Sequence, residues 1–178
     1  IGPGNCLVDT WIRKNSDKKF DKNGYLASIG KKNEIILEQA QELYTNRIDH
    51  QKKSFDTNDF DISFSRGLSL EDGATTLTNF TADIIGESLL SLCKKNFIKE
   101  IFVCGGGRKN KILMDLINKN LHSDIKLKLI DELGINGDFV ESQAFAFLAI
   151  RSYKKFPITF PNTTNCSKPC LGGEIIEN

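Results

Sequence analysis

Residues 98–107 constrain the fold more than any other segment. Ile98-Lys99-Glu100-Ile101-Phe102-Val103-Cys104 becomes continuously apolar and runs straight into Gly105-Gly106-Gly107. Such a run, stopped by glycine, reads as a strand buried on both faces of a sheet. Helical spacing resumes at once, with Ile112, Leu113, Leu116 and Ile117 on one face. A second strand, 125–130, alternates with lysines and belongs nearer an edge. A last helix, 139–153, is expected to turn Ala144, Phe145, Phe147, Leu148 and Ile150 inward. Strand–helix–strand–helix needs crossover connections, so the fold class is α/β, three-layered, with mostly parallel strands. Gly172-Gly173-Glu174-Ile175-Ile176 reads as a short final strand.

Upstream the chain is helical. Gly2-Pro3-Gly4-Asn5 is a turn, with Asn5 placed to cap a helix whose inner face is Leu7, Val8, Trp11 and Ile12. Asp21-Lys22-Asn23-Gly24 is the turn that ends this unit. A second helix covers 33–44, with Ile36, Leu37, Ala40 and Leu43 inward. Residues 45–67 read as a long irregular surface connection. Ser69-Leu70-Glu71-Asp72 resembles a capping box and opens a long helix through Leu77, Phe80, Ile84, Ile85, Leu89 and Leu92. This N-terminal third shows no strand, so a complete sheet needs strands from elsewhere.

Composition excludes several classes of function. The formal net charge is +1 and the lysine pairs are scattered, so neither nucleic acid nor an anionic membrane is drawn to the surface. No apolar run nears the roughly 20 residues that cross a bilayer. The five cysteines are odd in number and form no CxxC pair. Cys166 and Cys170 lack the further ligands a zinc site needs, with His50 and His122 standing alone, so reduced thiols and a cytoplasmic setting are expected and no metal ligand is assigned. Asp56 to Asp61 fails as a calcium loop, since Phe60 holds the fifth position and Asp61 stands where glycine is required.

Three places carry possible chemistry. Cys104-Gly105-Gly106-Gly107-Arg108-Lys109-Asn110 ends a strand and opens a helix. Without side chains a ligand reaches the backbone, and the helix start offers free N–H groups to a phosphate or a ribose-phosphate edge. The run matches neither G-x-G-x-x-G nor G-x-x-x-x-G-K-[ST], so a plain tight turn remains the competing reading. Gly2-Pro3-Gly4-Asn5 is a second glycine turn before a helix, with the amides of Gly4 and Asn5 as donors. Two such turns suit the two ends of one nucleotide. Glu141 begins an otherwise apolar helix, where it either serves the helix dipole or binds sugar hydroxyls.

Several segments together resemble one family. Gly2 to Ile12 resembles the G-P-G-N-x-L-x-D-x-W-I segment of the anhydro-N-acetylmuramic acid kinases, within the actin/hexokinase-like superfamily. Phe20 to Gly24 resembles the turn that follows it. Val103 to Gly107, with Asn110 and Met114, resembles V-C-G-G-G-x-x-N-x-x-L-M. Asp131 to Ile135, Glu141, and Ala144 to Ala149 resemble D-E-x-G-I followed by M-E-x-x-A-F-A-W-L-A, and Leu171-Gly172-Gly173 resembles the closing L-G-x. The segments come in the family's order.

The resemblance implies the C-terminal part of an actin-like ATPase (ribonuclease H-like) domain. Residues 1–178 would be a partial C-terminal domain, without the N-terminal domain and the first strands. It implies ATP- and Mg2+-dependent phosphorylation of O6 of 1,6-anhydro-N-acetylmuramic acid with hydrolytic opening of the anhydro ring, in cell-wall recycling. By it Gly105, Gly106, Gly107 and Asn110 face the nucleotide, Gly2, Gly4 and Asn5 lie along its phosphates, and Glu141 faces the sugar. The family's base, the Asp of D-x-G-P-G-N, would immediately precede Ile1, so no catalytic residue is expected in this chain and none of its activity in isolation. A homodimer is a further expectation. Lys53 to Phe60 departs from the family's K-S-T-G-R-E-x-F, and the tryptophan near Phe147 is missing. Another kinase of the superfamily and a non-catalytic relic remain the alternatives.

Overall fold

The computed structural model describes residues 3–47, 59–174 and 176. Its helices are α1 (Cys6–Asn15), α2 (Tyr25–Ile29), α3 (Glu34–Arg47), α4 (Leu70–Asn96), α5 (Lys111–Asn120), α6 (Val140–Tyr153) and α7 (Pro161–Thr164); its strands are β1 (Glu100–Val103) and β2 (Lys126–Leu129).

The long helix α4 organises everything upstream of the sheet. Ser69 caps it, its hydroxyl accepting from Asp72 N at 3.1 Å. Asp72 does not complete the box expected from the sequence; its carboxylate accepts from Lys31 N at 2.7 Å and so ties the approach to α3 onto α4. The first half of α4 sends Ala74, Leu77, Phe80 and Ile84 into a core with Leu7, Val8, Trp11 and Ile12 of α1, Leu26 and Ala27 of α2, and Leu37 and Ala40 of α3. Burying a leucine such as Leu77 in this way stabilises by about 2 kcal/mol. Threonines at 75, 76, 78 and 81 share that buried face. Thr76 and Thr78 satisfy their hydroxyls on the carbonyls of Asp72 and Ala74, and Thr75 bonds both Glu71 O and Ala27 O at 2.9 Å.

The second half of α4 packs with α5 and the sheet. Ala82 and Cys93 meet Leu113, Ile117, Leu121 and Ile125, with Ile101 and Leu127 of the strands against them. The strands pair in parallel, Glu100 opposite Lys126 and Val103 opposite Leu129. Side chains alternate across a sheet, so the opposite face carries Phe102 and Lys128. Lys128 lies over the Phe102 ring and pairs with Glu100 at 2.5 Å.

Several expectations are corrected here. β1 is half-exposed rather than buried on both faces, and the described residues form two layers, not three, around a sheet of two strands. A ribbon this narrow, with Lys128 and Glu100 on its second face, has no apolar surface wide enough to seat another helix. Accordingly α6 buries no residue: of the five expected inward, Ala144, Phe145, Phe147 and Ile150 are exposed and Leu148 is half-buried. Leu43 and Leu92 are also exposed. Among the described residues the expected final strand is not seen; a bridge between Thr159 and Cys170 precedes that stretch, and Ile175 lies outside the described residues. The stretch read as a surface connection is only partly so. Phe60, Ile62 and Phe64 pack on the core, and Tyr44 stacks on Phe60 at 5.6 Å; residues 48–58 lie outside the described residues. Helix α2 was not foreseen. It starts because the buried Asp21 carboxylate accepts from Leu26 N and Ala27 N, at 2.8 and 3.0 Å.

A tight helix crossing sits at Gly73, where an added Cβ would meet the Trp11 indole at 2.3 Å. That ring is buried and tethered, its Nε1 donating to Leu70 O at 2.9 Å, so it has nowhere to go. Alanine at 73 gains about 1 kcal/mol of helix propensity but overpacks the crossing by about 1–3 kcal/mol. Gly73→Ala is therefore expected to lower stability by up to about 2 kcal/mol in urea titration followed by circular dichroism. A variant more stable than the parent would show that α1 and α4 are not locked there.

Candidate functional site

The chain leaves β1 at Val103 and turns at Gly105, whose φ of +78° suits glycine. A short 3-10 turn, Gly106–Lys109, then feeds α5. A Cβ added at Gly105 or Gly106 would meet nothing within 4 Å, and one at Gly107 would touch only the Leu113 side chain at 4.0 Å. The triplet is thus open, with bare backbone facing outward. Gly105 N already donates to Gly137 O at 2.9 Å. The N–H groups of Gly106 and Gly107 open the turn, where no intrahelical acceptor exists for them.

The first glycine turn lies close by. Gly4 has φ +56° and open space where a Cβ would stand. Asn5 does not cap α1 with its side chain. Its Oδ1 instead accepts from Asn110 Nδ2 at 3.1 Å. Asn110 is 2% exposed and caps α5, its own Oδ1 accepting from Leu113 N at 3.1 Å. The turn at Asp21–Gly24 closes over it, so near that a Cβ on Gly24 would stand 2.2 Å from Asn110 Oδ1. Three glycine-bearing turns far apart in sequence therefore meet on one buried amide. Asn110 sits beneath the open backbone with both ends of its amide engaged, which makes it a support for the turns.

The sequence reading did not single out what braces the triplet from the other side. The Arg108 side chain is 6% exposed. Its Nε and Nη2 bind both oxygens of Asp131, at 2.8 and 3.1 Å, and its Nη1 reaches Asp138 at 2.6 Å and Gly105 O at 2.9 Å. Lys109 adds a bond to the other oxygen of Asp138 at 2.6 Å. The Arg108 guanidinium holds Asp131 down at about 2 and also draws Asp138 below the usual carboxylate range, with Lys109 helping. A signal was present in the sequence: two aspartates just past a strand end, opposite an arginine at the neighbouring strand end. Beside this brace lies a groove of 550 Å³ with Met114 and Leu129 as apolar walls and Lys111 at its rim.

The remaining sequence candidates are placed less closely. Gly2 lies outside the described residues. Glu141 is exposed in the first turn of α6, one turn beyond Gly137. Among the described residues no cluster of His, Cys, Asp or Glu could hold a metal ion, and no helix is long and apolar enough to cross a membrane.

Two outcomes are expected of this geometry. Asn110→Ala removes a helix cap and strands the Asn5 carbonyl oxygen, which together cost about 2 kcal/mol in urea unfolding; an unchanged midpoint would mean that the turns hold without it. Asp131 has a folded pKa below its unfolded one, so its contribution is complete above the ordinary value of 3.8 and fades as pH falls through about 2. Carboxyl 13C NMR should place its midpoint there and return it toward 3.8 in Arg108→Gln. A midpoint unmoved by that substitution would rule out the ion pair.

The whole chain, residues 1–178, matches the family model described as anhydro-N-acetylmuramic acid kinase. A protein of that name from Pelagibacter ubique is 51% identical over 180 residues, covering 100% of this chain and 48% of the relative. Its namesakes from Zymomonas mobilis and Rhizorhabdus wittichii are 35% and 38% identical, over 98% and 97% of the chain and 46% of their own lengths. The chain thus spans about half the length of the curated relatives it matches. On the full-length family match and these identities, the chain belongs to the anhydro-N-acetylmuramic acid kinase family.

Proposed function

We propose that this chain forms the nucleotide-gripping portion of a carbohydrate kinase, the C-terminal portion of its actin-like fold, acting on 1,6-anhydro-N-acetylmuramic acid. The reaction in this reading transfers the γ-phosphoryl group of ATP to O6 while water opens the anhydro ring, in the cytoplasm and in the service of cell-wall recycling. The observation that carries it is the open backbone of Gly105–Gly107 tied through Asn110 to the turn at Gly4–Asn5.

The chemistry follows from what bare amides can do. Phosphate oxygens are strong acceptors, and N–H groups at the start of a helical turn are fixed donors that lose nothing to reorganisation when the ligand arrives. Gly106 and Gly107 supply such donors on one side and Gly4 on the other, so a nucleotide can be held at both ends. The apolar walls of the adjoining groove, Met114 and Leu129, suit the nucleoside. The described residues offer no carboxylate set for Mg2+, so in this reading the cation rides on the phosphates of ATP and no step is assigned to it. No residue of this chain is proposed as the general base, and Glu141 is proposed only to face the sugar.

Two measurements test the reading. The chain is expected to bind MgADP in isothermal titration calorimetry, and Gly106→Ala to weaken that binding at least about tenfold by intruding on close backbone contact. Since an added Cβ there meets nothing within 4 Å, its melting temperature is expected to stay unchanged. Absence of MgADP binding by the parent chain would refute the nucleotide assignment. A family-length protein containing this chain should phosphorylate 1,6-anhydro-N-acetylmuramic acid with MgATP; turnover of glycerol or hexoses instead would assign it to another sugar kinase.

A further inference from the structure

Arg108 stands inside the glycine turn, where a cation would ordinarily be read as a phosphate ligand. The geometry points to a different role: we infer that Arg108 is a positioning residue, which clamps the Gly105–Gly107 turn through Asp131 and Asp138 and does not itself touch the phosphates. The inference rests on the nucleotide reading above.

Three of the guanidinium nitrogens are engaged, Nε and Nη2 on Asp131 and Nη1 on both Asp138 and Gly105 O. The side chain is 6% exposed, so little of it is left to face a ligand. The fork spans three separate segments: the glycine turn itself, the end of the chain leaving β2, and the loop before α6. The same three segments are joined by a backbone bond, Gly105 N to Gly137 O at 2.9 Å, and by Gly137 N donating to the Asp131 carboxylate at 3.3 Å. Gly137 lies flat against the guanidinium, and a Cβ there would come within 2.5 Å of Nε and 2.8 Å of Cζ. The clamp is therefore a closed ring of contacts with the ligand-facing turn as one side. Charges cancel within it, since Arg108 and Lys109 face Asp131 and Asp138. A phosphate arriving at the turn would meet peptide N–H groups and no unspent arginine.

The clamp and a direct phosphate contact predict opposite results for Arg108→Lys and Asp131→Asn, and Gly137→Ala tests the clamp through turn rigidity. Arg108→Lys preserves a point charge, which would serve a phosphate, but cannot reproduce a planar fork on three acceptors. Asp131→Asn removes negative charge near an anion site, which by Coulomb's law alone tightens anion binding, yet it opens the clamp. Gly137→Ala changes no charge and only displaces the guanidinium. MgADP titrations of the chain carrying each substitution are expected to show weakening of about tenfold in all three. Amide 15N relaxation of Gly105–Gly107, recorded without nucleotide, is expected to show the turn loosened in all three, while the residues of the α1–α4 core keep their parent chemical shifts. Near-parent affinity in Arg108→Lys, or tighter binding in Asp131→Asn, would establish a direct phosphate contact and overturn the inference. A turn as rigid in the variants as in the parent would also overturn it, whether or not MgADP binds. Failure of the parent chain to bind MgADP would instead refute the nucleotide reading, leaving the relaxation result to decide the clamp on its own.

Discussion

The amide of Asn110 is shut away from water, so each of its polar ends must find a partner within the protein or cost the chain its full desolvation. Its oxygen takes the Leu113 N–H in the first turn of α5, and its nitrogen donates to Asn5 Oδ1. The register of α5 and the position of the first glycine turn are thereby set by one side chain. Gly24 lets the third turn press down on it because no Cβ intervenes. The open backbone at Gly105–Gly107 has a definite place relative to Gly4 only because this amide is satisfied. With both ends of its amide engaged, Asn110 acts on the turns as a support.

Two kinds of stabilisation meet at the site, and they differ in reach. Beneath it, dense apolar packing around α4 locks α1, α2 and α3 together. Above it, the Arg108 brace is polar and partly wet at its carboxylate ends, which are 42% exposed. Packing resists small displacements in every direction, whereas a fork of hydrogen bonds resists them along chosen ones. A turn that must present N–H groups at set angles draws on the second kind.

Much of this was legible in the sequence, for definite reasons. Leu7, Val8, Trp11 and Ile12 recur at helical spacing, and all four are buried. Ser69 followed by polar residues announces the start of α4, and the apolar run into three glycines announces a strand end with an exposed turn. What could not be read was partnership. Nothing in residues 139–153 distinguishes a helix that finds a sheet to lie on from one that does not, and α6 is of the second sort among the described residues. Nor does spacing reveal that Asn5 would turn from its own helix to Asn110, 105 residues away. Arg108 was hidden for the same reason: only the three-dimensional placement of Asp131 and Asp138 shows what it engages.

That neutrality of the brace has a consequence for behaviour in salt. Attraction between an anion and mobile surface cations fades as ionic strength rises, because counterions crowd between them over about 10 Å at 0.1 M. Peptide dipoles act within a hydrogen-bond length, inside any such atmosphere. In the proposed reading, a turn whose Arg108 and Lys109 already face carboxylates holds its ligand mainly by short contacts, and salt screens chiefly what Lys111 at the groove contributes.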